Sequence, residues 1–265
     1  MSIESRVENL SEPILVAHFE EIRIKPDIEP RPEDFSSIFE DEKYRKHCFD
    51  EASKAFLSVY NKEKFDEYLN VEPSNEGKDY LKKVRKFGLI LRAMYNFFDE
   101  NHLCPENFQQ FLFTLGKYND RYLLKKSKSI KPQDVAELDG LEISVNLSGS
   151  KDFKEYAKEI LSQIDGLIEK PVLPVESFHD LRKKVRLFAS LMQVTAAENI
   201  GGNLNWLFAS ILELSVMLGE KHDELVRKDL IGETDYHSSK VELEEFLVEK
   251  IRYLEPFIRK VVGLS

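Results

Sequence analysis

Four residues at helical spacing, His179, Arg182, Lys183 and Arg186, carry the chain's plainest chemistry. At about 100° per residue they fall within one arc of a helix, while Leu181, Val185, Phe188 and Met192 occupy a different face. Lys78, Lys82, Arg85 and Lys86 make an equivalent arc, with Arg92 two turns further along it. Arginine grips phosphate bidentately and lysine attracts it as a point charge, so a regular row of both suits a polyanion. Charged stripes are ordinarily solvated faces. This one recurs, and neither stretch is expected to form the i±4 ion pairs of a salt-bridged surface.

The recurrence is a repeat. KDYLKKVRKF (78–87) aligns with HDLRKKVRLF (179–188), with identities at Asp79/Asp180, Lys82/Lys183, Lys83/Lys184, Val84/Val185, Arg85/Arg186 and Phe87/Phe188. Downstream of each, LGKYND (115–120) matches LGEKHD (218–223). Two matches in the same order at similar spacing indicate a duplicated helical hairpin.

Catalytic readings of these residues are weaker. Adjacent His-Asp at His179-Asp180 and His222-Asp223 suits the divalent metals of HD-type phosphohydrolases. In the other copy, however, the histidine positions are Lys78 and Asn119, while the aspartates persist as Asp79 and Asp120. The aspartates then serve to order a nearby cation, and no metal is expected. There is no GxSxG and no Gly-rich phosphate loop, and Gly201-Gly202 reads as a turn. Cys48 and Cys104 lack CxxC partners and evident activating bases, which leaves reduced thiols in a cytoplasm as the expectation. Neither catalysis nor a cofactor is expected.

The elements that must hold these residues read as helices. Phe49, Ala52, Phe56 and Tyr60 recur at helical spacing from about Asp41, as do Leu81, Val84, Gly88, Leu91 and Tyr95. The pattern continues over Glu106 to Lys126, breaks at 128–150, and resumes at Asp152. Further helices are expected over about 176–198, 203–228 and 238–262, with Pro256 kinking or ending the last. LEISVNL within the break could form a short strand, and PILVAHFEEIRI (13–24) a strand, a short helix or an extended segment. The expectation is an all-α duplicated bundle over 43–265, with repeat halves at about 43–128 and 151–262 and an irregular acidic arm over 1–42.

Charge is unevenly spread. Residues 1–77 hold 10 Lys+Arg against 19 Asp+Glu, a balance of −9, so only −1 of the total of −10 belongs to 78–265. No apolar run reaches the roughly 18–20 residues needed to span a bilayer, and the amino terminus lacks a secretory pattern. Neither a membrane nor a specific nucleic acid is an expected partner, since no recognised nucleic-acid motif is present and the acidic segment would repel an extended backbone.

His179-x-x-Arg182-x-x-x-Arg186 followed by LG-x-x-H-D resembles the CHAD (conserved histidine α-helical domain) family, as does R-K-F-x-x-x-L-R-x-x-Y-x-F-F at 85–98. The resemblance covers roughly 45–255. It implies two helical bundles related by a pseudo-twofold, a basic central groove, and binding of inorganic polyphosphate without hydrolysis. The site would then comprise His179, Arg182, Lys183 and Arg186 with Lys78, Lys82, Arg85, Lys86, Arg92 and Arg121. The sequence departs from the family pattern at Lys78 and Leu81, where histidine and arginine would stand, and at Leu187 and Gln193. The basic row Lys117, Arg121, Lys125 and Lys128 is answered in the second copy by Glu220 and Glu224, so the implied groove is less positive. The rival reading is an interaction scaffold whose basic groove receives an acidic protein segment, including the chain's own EDFSSIFEDE (33–42).

Overall fold

The computed structural model describes residues 14–17, 20–25, 27–70, 74–124 and 143–264, with the backbone alone at 14, 17, 69–70, 117–124 and 230. The fold is all-α and divides into two compact units. One comprises Met1–Ala17 and Lys46–Ser148, the other His18–Arg45 and Gly149–Ser265.

The first unit contains helices α1 (Ile14–Ala17), α2 (Glu42–Val59, whose first turn counts with the second unit), α3 (Lys62–Asn70), α4 (Asn75–Phe98) and α5 (Glu106–Leu124). The Ser74 hydroxyl starts α4 by accepting from the Gly77 amide at 3.0 Å, which satisfies one of the helix's otherwise orphaned donors. Leu81, Val84, Phe87, Leu91 and Met94 then bury one face of α4. Gly88 allows α5 to approach, since a Cβ there would lie 2.5 Å from Leu112 Cδ2. Aromatic rings fill much of the interior: Phe56 meets Phe108 edge-on at 5.1 Å, and Phe49 meets Tyr95 at 4.9 Å. After α4 the chain turns at His102, whose φ of 54° is left-handed. Its Nδ1 lies 3.0 Å from the Asn96 carbonyl and donates to it, satisfying an acceptor near the helix end.

The second unit contains α6 (Ser150–Ile168), β1 (Val172–Pro174), α7 (Val175–Ala197), α8 (Asn203–Leu230), β2 (Lys240–Glu242) and α9 (Glu245–Val262). β1 and β2 pair antiparallel with Leu173 opposite Val241, both buried. Residues 20–45 pack onto these helices. Phe35 meets Phe257 edge-on at 5.6 Å, and Phe39 meets Phe153 at the same distance. Arg45, 1% exposed, closes this segment by donating from Nη1 to the carbonyls of Phe39 at 2.7 Å and Glu40 at 3.2 Å. Asn203 and Asn205 donate to the carbonyls of Asp34 and Ile24, and Lys154 pairs with Glu40.

These contacts revise several expectations. Within the arm expected over 1–42, residues 18 onward count with the second unit. Phe35 and Phe39 of the acidic segment meet Phe257 of α9 and Phe153 of α6, and Glu40 pairs with Lys154 of α6. Phe35 and Phe39 are thus part of the core. Residues 143–146 form no strand, and Leu147 makes a single bridge to Asp99. Pro256 neither ends nor bounds α9, which runs on to Val262. Both Pro256 and Arg252 are on the exposed side, so water can satisfy the carbonyl that proline leaves without a donor. No helix among the described residues is long and apolar enough to cross a membrane.

Candidate functional site

Each unit contains a basic helix followed by one bearing a Leu-Gly pair, α4 then α5 and α7 then α8. In each, an arginine of the first helix lies against the glycine of the second. A Cβ at Gly116 would stand 3.3 Å from Arg85 Nη2 and 3.5 Å from its Nε. A Cβ at Gly219 would stand 3.8 Å from both Nε and Nη2 of Arg182. The absent side chain lets a guanidinium lie across the neighbouring helix. This shared contact pairs Arg85 with Arg182, one helical turn away from the sequence match of Arg85 with Arg186. A match based on helical composition can slip by a turn without disturbing the apolar face, so its register does not fix the contact.

In the first unit, α4 carries Lys78, Lys82, Arg85 and Lys86, of which Lys82 is exposed and the others half-buried. Arg92 lies near the far end of the helix, where its charge acts on Cys104. Burial nevertheless pushes that thiol up to about 12, with Asp99 adding to the rise and Arg92 opposing it. Cys104 is thus held as a thiol, without the thiolate character of a nucleophile. Arg121, with Lys117, Lys125 and Lys128, lies outside the residues whose side chains are described.

In the second unit, α7 brings His179, Arg182, Lys183 and Arg186 into one electrostatic group. α8 adds a residue absent from the expected set: His222, whose ring centroid is 5.2 Å from that of His179 at a tilt of 35°. His222 Nδ1 lies 3.2 Å from Asp223 Oδ1, and Nε2 lies 2.9 Å from the Tyr236 hydroxyl. The carboxylate oxygen can only accept, so Nδ1 carries the proton and Tyr236 donates to Nε2. His179 Nδ1 is buried with no hydrogen-bond partner among the described residues.

The surroundings disfavour the charged form of both rings. Burial is the main cause that lowers His179 to about 4, and Lys183, His222, Arg182 and Arg186 each reinforce it. Burial also leads the lowering of His222, where Arg182 and Arg186 add to it and Asp223 opposes it. Burial raises the Tyr236 phenol, Glu176 adds to the rise, and Arg182 opposes it. Arg182 and Arg186 thus act on both imidazoles in the same sense as burial does.

One expectation about the stripe fails. Asp180 pairs with Lys184 at 2.5 Å, an i,i+4 contact on the flank of α7, so part of this helix is a salt-bridged surface. His179 and Arg182 lie outside that pair. Among the described residues no group of three or more His, Cys, Asp or Glu converges as a metal site would require. His222 was visible in the sequence within LG-x-x-H-D, but its contact with His179 depends on how α7 and α8 pack. Tyr236 comes from a polar loop and carried no sequence signal.

No family model, no curated protein and no solved structure matches the chain.

Proposed function

We propose that this chain is a divergent CHAD-like protein of the cytoplasm that binds a phosphate-rich polyanion, foremost inorganic polyphosphate, without hydrolysing it. The observation that carries the reading is the group formed by Arg182, Lys183 and Arg186 around His179, with His222 across from it. Several cations act on the two imidazoles there, and the carboxylate Asp223 is engaged with His222. An anion with closely spaced phosphates would neutralise cations and accept from the arginines. Lys78, Lys82, Arg85, Lys86 and Arg92 of the first unit supply a second basic face of the same kind, with Arg121 expected to extend it.

Calorimetric titration with long-chain polyphosphate at low and high salt tests the reading. The native protein should bind in a salt-sensitive way. Arg182→Ala and Arg186→Ala should each weaken binding by about tenfold or more, because a hydrogen bond between charged groups is lost. Failure of the folded native protein to bind would overturn the reading. Uptake of an acidic peptide in place of polyphosphate would turn it toward a protein partner.

A further inference from the structure

In the second unit three hydrogen-bonded groups stand in the order of a nucleophile, its base and the group that orients the base: Tyr236, His222 and Asp223. The phenol donates to Nε2 at 2.9 Å, while Nδ1 donates to Asp223 Oδ1 at 3.2 Å. The loop before β2 fixes the tyrosine through its backbone. The Tyr236 amide donates to Asp229 Oδ1 at 3.0 Å, and the Ser239 hydroxyl donates to the Asp235 carbonyl at 2.6 Å. The phenol ring is half-buried and meets the imidazole edge-on at 5.9 Å. Arg182 of α7 acts on the phenol in the sense that favours its ionisation, against burial and Glu176. That influence is a field effect and requires no vacant donor on the guanidinium.

Resting on the polyanion reading, we propose that Tyr236 is a phosphorylation site: its oxygen takes the terminal phosphoryl group of a bound polyphosphate, with His222 as general base and Asp223 as positioning residue. The Tyr236 oxygen bonds to the terminal phosphorus. The bond from that phosphorus to the bridging oxygen breaks, and a polyphosphate one unit shorter leaves with the bridging oxygen and its electron pair. The phenolic proton passes to His222 Nε2, and Asp223 steadies the resulting imidazolium through Nδ1. Burial, the main cause acting on both groups, disfavours the phenolate and the imidazolium alike. The proton therefore moves as the new bond forms rather than before it. The imidazolium then loses the proton to water, which restores the base. A phosphate ester of tyrosine is stable in water, so the product is a singly modified protein and no free phosphate is released. Modification without turnover agrees with a site that binds polyphosphate without hydrolysing it.

The test is incubation of the full chain with long-chain polyphosphate, followed by intact-mass and peptide mass spectrometry, with binding measured in parallel. One acid-stable phosphoryl group should appear, at Tyr236. Tyr236→Phe should abolish it, and His222→Asn should slow its appearance by about a hundredfold or more. Tyr80→Phe should leave it unchanged, because the Tyr80 hydroxyl donates to the Asn61 carbonyl and has no base there. Asp223 raises the His222 imidazole, so Asp223→Asn should move the acid limb of the rate profile to lower pH. Polyphosphate that binds without modifying Tyr236 would overturn the proposal and leave the binding reading intact. A phosphoryl group found only on another residue, or one that forms as fast in His222→Asn, would also overturn it. Absence of any binding would overturn the reading on which it rests, and the proposal with it. Because the first arm needs only the native protein, failure of a variant to fold does not remove the test.

Discussion

Both units lay an arginine of one helix across a glycine of the next, yet their basic faces are built from different residue types. The first is built from Lys78, Lys82, Arg85 and Lys86. The second combines Arg182, Lys183 and Arg186 with two imidazoles and a phenol. One scaffold thus carries a face of lysine and arginine and a face that adds imidazoles and a phenol. Helix packing provides the position, and the residue types chosen at that position decide the chemistry.

The units also differ in how they are closed, and this difference should give the largest effect. Phe39 and Phe35 complete the second unit, and Arg45 ties down the segment that bears them. Phe39→Ala should cost about 3–5 kcal/mol. Amide hydrogen exchange should show the loss of protection first in 149–264. A loss below about 1 kcal/mol would mean that the segment is merely laid on the surface.

Acid should distinguish the units next. His179 is lowered in the fold from 6.5 to about 4. Between those values the unfolded chain binds a proton that the native one does not, so the fold loses stability as pH falls through that window. His179→Asn should flatten this part of the stability profile in denaturant titrations at a series of pH values. An unchanged slope would show that His179 meets no such field.

The smallest effect concerns the two glycines. A methyl at Gly219 would make ordinary contact with Arg182, whereas at Gly116 it would crowd Arg85 by a few tenths of an ångström. Gly219→Ala should therefore approach the roughly 1 kcal/mol gain of a helix-interior alanine, and Gly116→Ala should fall short of it. Equal gains in thermal unfolding would remove this asymmetry between the units.

The long helices were legible because their signal is local: Leu81, Val84, Gly88, Leu91 and Tyr95 repeat at the helical period wherever the chain goes. The stripe on α7 was legible for the same reason. β1 and β2 were not, since three-residue strands far apart in sequence are defined only by each other, and Leu173 and Val241 look like any apolar pair. α3 is too short for periodicity to assert itself. At the site, the residues on one helix could be grouped by angle, but the approach of His222 to His179 arises from the packing of two helices. Tyr236 enters from a loop with no pattern at all. The one-turn slip between the sequence match and the arginine–glycine contact has the same origin: spacing names a face, and packing selects which of its residues meets the neighbour.

The most direct test of a polyanion site at the paired imidazoles follows the six histidine imidazoles by NMR as long-chain polyphosphate is added to the full chain. The signals of His179 and His222 should move together as the ligand is added. Binding that leaves His179 and His222 unmoved would contradict such a site, placing the ligand elsewhere on the protein.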